Sequence, residues 1–148
     1  MSQRGGSVIT YVRMGENVYS PMIEQKGADF VLAFEELEAL RDLTYLKDGG
    51  TLIVNTQQIL PLPVIIGAAK YPENILQTLK EKANVVALPA LPMAAQAGNA
   101  KAVNTVLLGA LAKRLDFDKQ LWLDALRACV PDKFLEANLA AFESGYHA

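Results

Sequence analysis

The chain has 148 residues, 51% of them hydrophobic, with 14 Lys and Arg against 16 Asp and Glu for a formal net charge of -2. That length suits one domain able to bury roughly 70% of its unfolded surface, and the scattered basic residues offer no electrostatic footprint for a phosphate backbone, which excludes nucleic acid as an expected partner. A single Cys and a single His exclude an internal disulfide and any zinc or iron-sulfur site built by this chain alone.

The apolar runs are interrupted by Gly, Pro, Asn and charge before they reach the ~20 residues of a membrane span. Arg4 is followed by two glycines rather than by the apolar stretch of a secretory leader. The expectation is a cytoplasmic protein with no membrane partner.

In chain order, Gln3-Arg4-Gly5-Gly6-Ser7 comes first. A Gly pair beside Gln and Arg lets the backbone pass close to a neighbour while the polar side chains reach sideways, the alternative being a loose terminus. Alternation over Val8–Arg13 predicts a strand, and the turn chemistry of Gly15 and Asn17 before Val18-Tyr19-Ser20 predicts a hairpin that Pro21 ends. Phe30–Phe34 is apolar at every position, as in a strand covered on both faces of a parallel sheet. Leu37, Leu40, Leu43 and Leu46 then follow at helical spacing, with Gly49-Gly50 closing the helix. Thr51–Val54 predicts a second strand ending at Asn55, and Val64–Ile66, between Pro63 and Gly67, a further one. A helix over 73–83 and a strand over 85–88 come next.

Nothing after Pro92 reads as strand. Asn99 caps a helix through Leu111, Asp118 caps a second with Trp122, Ala125, Leu126 and Cys129 facing inward, and Pro131-Asp132 opens a third that Gly145 stops. This alternation predicts a three-layer α/β/α fold with a mainly parallel sheet and a helical C-terminal third, forming one domain over residues 1–148.

Reactive motifs are absent: there is no dinucleotide or P-loop glycine loop, no paired Cys motif and no Gly-x-Ser-x-Gly elbow. His147, at the chain end, reads as a solvated tail, and Cys129 as a small hydrophobe. Glu36 and Glu38 read as a solvated helix face or partners of the helix dipole. Glu35 differs because it lies just beyond a buried strand, on the sheet edge where open α/β proteins bind ligands, and Asn55 holds the matching place after the next strand. The alternatives for this pair are a helix cap and a turn residue. The Gly98-Asn99 amides suit an anion or a partner carbonyl, and Asn104, a poor helix former, calls for a specific hydrogen bond.

Taken together, Ser2 to Val8, Ser20-Pro21, Ala28-Asp29 through Phe34-Glu35 with Leu37 to Arg41, Gly98-Asn99, Val103-Asn104 and Leu108-Gly109-Ala110 resemble the gamma-type domain of 2-oxoacid:ferredoxin oxidoreductases (the pyruvate/ketoisovalerate oxidoreductase gamma family), in its indolepyruvate branch. The family's upstream strand, Gly-x-Gly-Gly-Gln-Gly loop and helix have no counterpart here. The resemblance therefore implies an N-terminally incomplete domain, a sheet with an unpaired edge and self-association of the isolated chain.

The resemblance also implies a division of labour. Thiamine diphosphate, iron-sulfur clusters and coenzyme A belong to the complete complex and none to this chain, electrons leave through ferredoxin, and a larger subunit carrying the thiamine diphosphate and the clusters is the partner. Gln3, Arg4, Gly5, Gly6, Ser7, Ser20, Glu35, Asn55, Gly98, Asn99 and Asn104 become candidates for contacts with that partner or the site edge, with no catalytic residue among them. A stand-alone structural or binding module of the same fold is the alternative. An independent small-molecule enzyme would rest on Glu35 and Asn55 alone.

Overall fold

The computed structural model describes residues 8–148. Strands β1 (Ala28–Ala33), β2 (Leu46–Asn55) and β3 (Asn84–Leu88) lie side by side in that order and all run parallel. Parallel neighbours need long crossovers. The first is helix α1 (Glu36–Asp42) with a 3-10 turn at Leu43–Tyr45, and the second holds α2 (Leu62–Ile65) and α3 (Ile75–Lys82). After β3 the chain is helical: α4 (Ala90–Gln96), a 3-10 turn at Ala100–Ala102, α5 (Val103–Ala112), α6 (Lys119–Cys129) and α7 (Asp132–Tyr146).

Successive side chains on β2 point to opposite faces. Leu52 and Val54 pack with Leu37 and Ala39 of α1 and Ile75 and Leu79 of α3. Ile53 points the other way, into a cluster with Ala94 of α4, Val106 and Leu107 of α5 and Ala141 of α7. All three of these β2 residues are fully buried. The result is the expected α/β/α arrangement, with the apolar run at positions 52–54 of the central strand covered on both faces, whereas the apolar run 30–34, expected to be covered twice, falls on the edge strand β1 and is only partly buried, Phe34 being half exposed.

Two close approaches explain glycines. A Cβ on Gly50 would stand 2.7 Å from Leu46 Cδ1 and 2.9 Å from Asp29 O. At that point the β1–β2 register jumps from Ala28↔Leu46 to Phe30↔Thr51. Gly49-Gly50 therefore lies inside β2 rather than closing a helix: α1 stops at Asp42, and Leu46 already belongs to the strand. The second approach is between α5 and α7, where a Cβ on Gly145 would meet Val106 O at 1.8 Å and one on Gly109 would meet Phe142 O at 2.1 Å. Gly145 is thus a buried contact within α7, not its terminator.

Several other expectations give way to tertiary context. Residues 8–13 and 18–20 form no strand and no hairpin. Alternation supplies a pattern but not a pairing partner, and here Arg13 folds the segment back by donating through Nη1 to Met22 O at 2.9 Å and Ser20 O at 3.4 Å. Val64-Ile66 is no strand either: Pro61, in extended conformation, precedes α2, Pro63 sits in its first turn, where a missing N–H costs nothing, and Ile66 is its C-cap.

Cys129 is exposed. The inward stripe of α6 follows Trp122, Leu123 and Leu126 and continues to Val130, which turns Ala125 and Cys129 outward. Phe134, near the start of α7, is 43% exposed. The expected caps at Asn99 and Asp118 form, each side chain accepting from the backbone N–H two residues on, although Asn99 opens a 3-10 turn ahead of α5.

Candidate functional site

The carboxyl ends of the three strands carry a connected set of buried polar groups. Asn55 ends β2 with 1% of its surface exposed. Its Nδ2 donates to Phe34 O, just past β1, at 3.1 Å and to Gln57 Oε1 at 3.3 Å. Its Oδ1 accepts from the N–H of Ala90, just past β3, at 3.1 Å. One side chain therefore ties together the exits of all three strands, and its burial is tolerable because both ends of the amide are satisfied.

Glu35 follows β1 in extended conformation and caps α1. Its Oε2 accepts the Glu38 N–H at 3.0 Å. Its Oε1 accepts the Ile59 N–H at 3.1 Å and the Tyr71 hydroxyl at 2.5 Å. Glu35 is 5% exposed and Glu36 4%. An ionised carboxylate at such a depth demands donors, and Glu35 finds three while Glu36 Oε2 accepts from Gln58 Nε2 at 2.8 Å. Glu36 is therefore no part of a solvated face. Burial first, then the bond to Glu35, push the Tyr71 hydroxyl well above the usual tyrosine range.

The two carboxylates hold the loop between β2 and α3. Glu36 N donates to Gln57 O at 3.2 Å at the loop's start, and Glu35 then grips both Ile59 and Tyr71. Between these anchors Ile59, Leu60, Leu62, Ile65 and Ile66 are each at least half exposed. The edge thus consists of a polar, saturated interior and an apolar exterior.

The remaining predicted site residues fall elsewhere. Gln3 to Ser7 lie outside the described residues. Ser20 sits in the 8–26 segment, its hydroxyl accepting Met22 N–H at 3.2 Å. Gly98, with φ +97, ends α4, and the N–H groups of Gly98, Asn99, Lys101 and Ala102 all donate within the chain. Asn104 is exposed, with Thr105 Oγ1 at 3.5 Å. Of the predicted site residues among those described, only Glu35 and Asn55 meet at one edge.

Sequence reasoning missed Tyr71 and Gln58, and also the pair Thr105–Asn138, whose 2.6 Å hydrogen bond joins α5 to α7. None carries a periodic or motif signal. A depression of about 360 Å³ lies at the opposite, amino ends of the strands, lined by residues such as Lys26, Lys47 and Gly49. Two of its lysines are engaged, Lys26 with Asp48 at 3.3 Å and Lys47 with Asp29.

Among the described residues no three His, Cys, Asp or Glu side chains converge to hold a metal ion. An iron-sulfur cluster takes a set of four ligands, mostly thiolates, and the one Cys of the chain stands exposed on α6. The residues do not fit such a group. No helix among the described residues is long and apolar enough to cross a membrane.

The family described as pyruvate ferredoxin/flavodoxin oxidoreductase matches over residues 1–148. The indolepyruvate oxidoreductase subunit IorB of Thermococcus kodakarensis is 41% identical over 159 residues, covering 100% of this chain and 76% of that protein. IorB of Pyrococcus horikoshii is 41% identical over 154 residues with the same coverage. IorB of Methanothermobacter thermautotrophicus is 37% identical over 153 residues, covering 100% of this chain and 78% of its own length. Among solved structures, the gamma subunit of a keto/oxoacid ferredoxin oxidoreductase from Geobacter sulfurreducens superposes with a TM-score of 0.58 at 24% identity. That likeness covers 80% of this chain and 62% of the solved one, and speaks to the fold. With the family matched from end to end, this chain belongs to the pyruvate ferredoxin/flavodoxin oxidoreductase family.

Proposed function

We propose that the chain is the subunit of a 2-oxoacid:ferredoxin oxidoreductase that carries no cofactor, acting within a complex that oxidatively decarboxylates an arylpyruvate such as indolepyruvate to its acyl-CoA. The observation that carries this reading is the 41% identity to IorB subunits across the whole chain. The absence of a thiolate set for a cluster agrees with it. In this reading thiamine diphosphate, iron-sulfur clusters and coenzyme A belong to a larger partner subunit, ferredoxin takes the electrons, and the assembly works in the cytoplasm. Residues 1–148 act as one gamma-type domain. Glu35 and Asn55 shape the edge that meets the partner, and Gln3 to Ser7, Ser20, Gly98, Asn99 and Asn104 are further contact candidates. Among the described residues no further strand pairs with the outer edges of β1 and β3, which supports self-association of the isolated chain.

Anaerobic coexpression with the larger subunit tests the reading. The expected result is a stable complex that reduces ferredoxin or a dye with indolepyruvate and coenzyme A, neither chain being active alone. A larger subunit fully active without this chain, or no association, would refute it.

A further inference from the structure

The hydrogen bonds that fasten the segment 58–69 to the rest of the domain go to two carboxylates. Every hydrogen bond described for residues 60–69 closes inside the segment, as in Val64 N–H to Pro61 O at 2.9 Å and Ala69 N–H to Pro63 O at 3.0 Å. No residue from 58 to 69 is buried, and only Pro61 and Val64 are half-buried. Its outward hydrogen bonds among the described residues are two: Gln58 Nε2 donates to Glu36 Oε2 at 2.8 Å, and the Ile59 N–H donates to Glu35 Oε1 at 3.1 Å.

The stems, by contrast, are firm. Gln57 O accepts from the Glu36 N–H, and the Thr56 N–H donates to Leu88 O, while Tyr71 packs on the cluster that holds Leu37, Ala39, Ile75 and Leu79. A unit folded on itself, with little buried apolar surface, opens at a lower free energy than the core. Gly67, at φ +76 with nothing within 4 Å of a Cβ, gives the outgoing stem room to swing.

The closed position carries a cost that opposes these bonds. Glu35 and Glu36 are adjacent and buried, and no Lys, Arg or His forms an ion pair with either among the described residues. Buried charge without a cation is unfavourable, and its hydrogen bonds offset only part of the lost hydration. Opening returns Glu36 and the Oε1 atom of Glu35 to water at the expense of two bonds. Terms of opposite sign and similar size are the condition for a two-state element.

We infer that residues 58–69 are a strap that swings between a closed state latched on Glu35 and Glu36 and an open state, switching the carboxyl edge of the sheet from an uncharged aliphatic surface to an acidic one. Closed, the edge presents Ile59, Leu62, Ile65 and Ile66; open, it presents two carboxylates just past β1. The Tyr71 hydroxyl, on the fixed stem, holds Glu35 Oε1 where the Ile59 N–H returns to it. The inference goes beyond the proposed function and does not rest on it.

Backbone amide exchange of the full chain, followed by NMR, reads the strap directly. The Ile59 N–H reports unlatching, the Glu38 N–H, bonded to Glu35 Oε2 at 3.0 Å, reports the α1 cap, and the Leu107 N–H, in the middle of α5, reports the core. Ile59 is expected to exchange faster than the other two in the wild-type chain. Gln58→Ala, at an exposed position, removes one latch bond and should speed Ile59 exchange roughly tenfold while leaving Glu38 and Leu107 unchanged. Glu36→Gln keeps an acceptor for Gln58 but removes the buried charge, and should slow Ile59 exchange about threefold or more. Thermal melting verifies that both variants fold. If Ile59 exchanges in step with Leu107 throughout, the segment opens only with the whole domain and there is no strap. If Glu36→Gln speeds Ile59 exchange or leaves it unchanged, the carboxylate is an acceptor alone and the switch is overturned.

Discussion

The Tyr71 hydroxyl donates to Glu35 Oε1 at 2.5 Å, joining residues 36 positions apart. The same oxygen accepts the Ile59 N–H, so one carboxylate oxygen fastens both ends of an apolar loop to the end of β1. A carboxylate is suited to this because it accepts at several sites and charge strengthens each bond. Its burial in turn makes every lost donor or acceptor costly.

Glu35→Ala is expected to destabilise the chain by about 2–4 kcal/mol, because it removes the α1 cap and leaves the Ile59 N–H and the Tyr71 hydroxyl without an acceptor. Tyr71→Phe removes one donor and should cost about 1–2 kcal/mol. Glu35→Gln, with one acceptor oxygen left, should fall between them. Urea unfolding measures the series, and hydrogen exchange should show faster opening of 58–71 in every variant. Unchanged exchange there would mean that the loop is held by other contacts.

Alkaline stability follows from the raised Tyr71 pKa. The hydroxyl stays protonated in the folded chain above the ordinary tyrosine value of about 10, so the folded state binds more protons than the unfolded one in that range. The contribution is fully present below about pH 10 and is lost as pH rises through and beyond it. Urea midpoints of wild type and Tyr71→Phe compared from neutral to strongly alkaline pH should converge above pH ~10. A constant gap would remove Tyr71 from the alkaline transition.

Asn55→Ala should cost about 2–4 kcal/mol, since it strands the Ala90 N–H and the Phe34 carbonyl at the meeting point of three strands. Thermal melting of the purified variant checks this. A loss within about 0.5 kcal/mol, typical of a surface position, would show that water replaces the amide.

Gly145→Ala should be the most damaging small substitution, because its methyl would enter Val106 O and push α5 from α7. A loss beyond about 3 kcal/mol is expected. Gly15→Ala meets nothing within 4 Å and should be neutral. Expression and melting of the two variants side by side test the contrast.

The β-then-α alternation, the strands at 30–33 and 51–54 and the three C-terminal helices were legible from the order of residues, because period and capping chemistry act over a few neighbours. The same locality made Glu35 and Asn55 visible: each directly follows or ends an apolar strand, and strand ends in parallel sheets share an edge. The landmarks from Ala28 to Arg41 and from Gly98 to Ala110 likewise pointed to the family.

What only the tertiary structure decided depends on partners far along the chain. Whether 8–13 pairs as a strand turns on a neighbour it does not have among the described residues, and whether Cys129 faces inward turns on how α6 rolls against α5 and α7. The burial of Glu36 and the role of Tyr71 arise where the 56–71 loop folds back over α1, a contact no periodicity encodes. Sequence alone placed Glu35 at the edge; the fold turned it inward and made it the anchor of an uncharged, exposed loop.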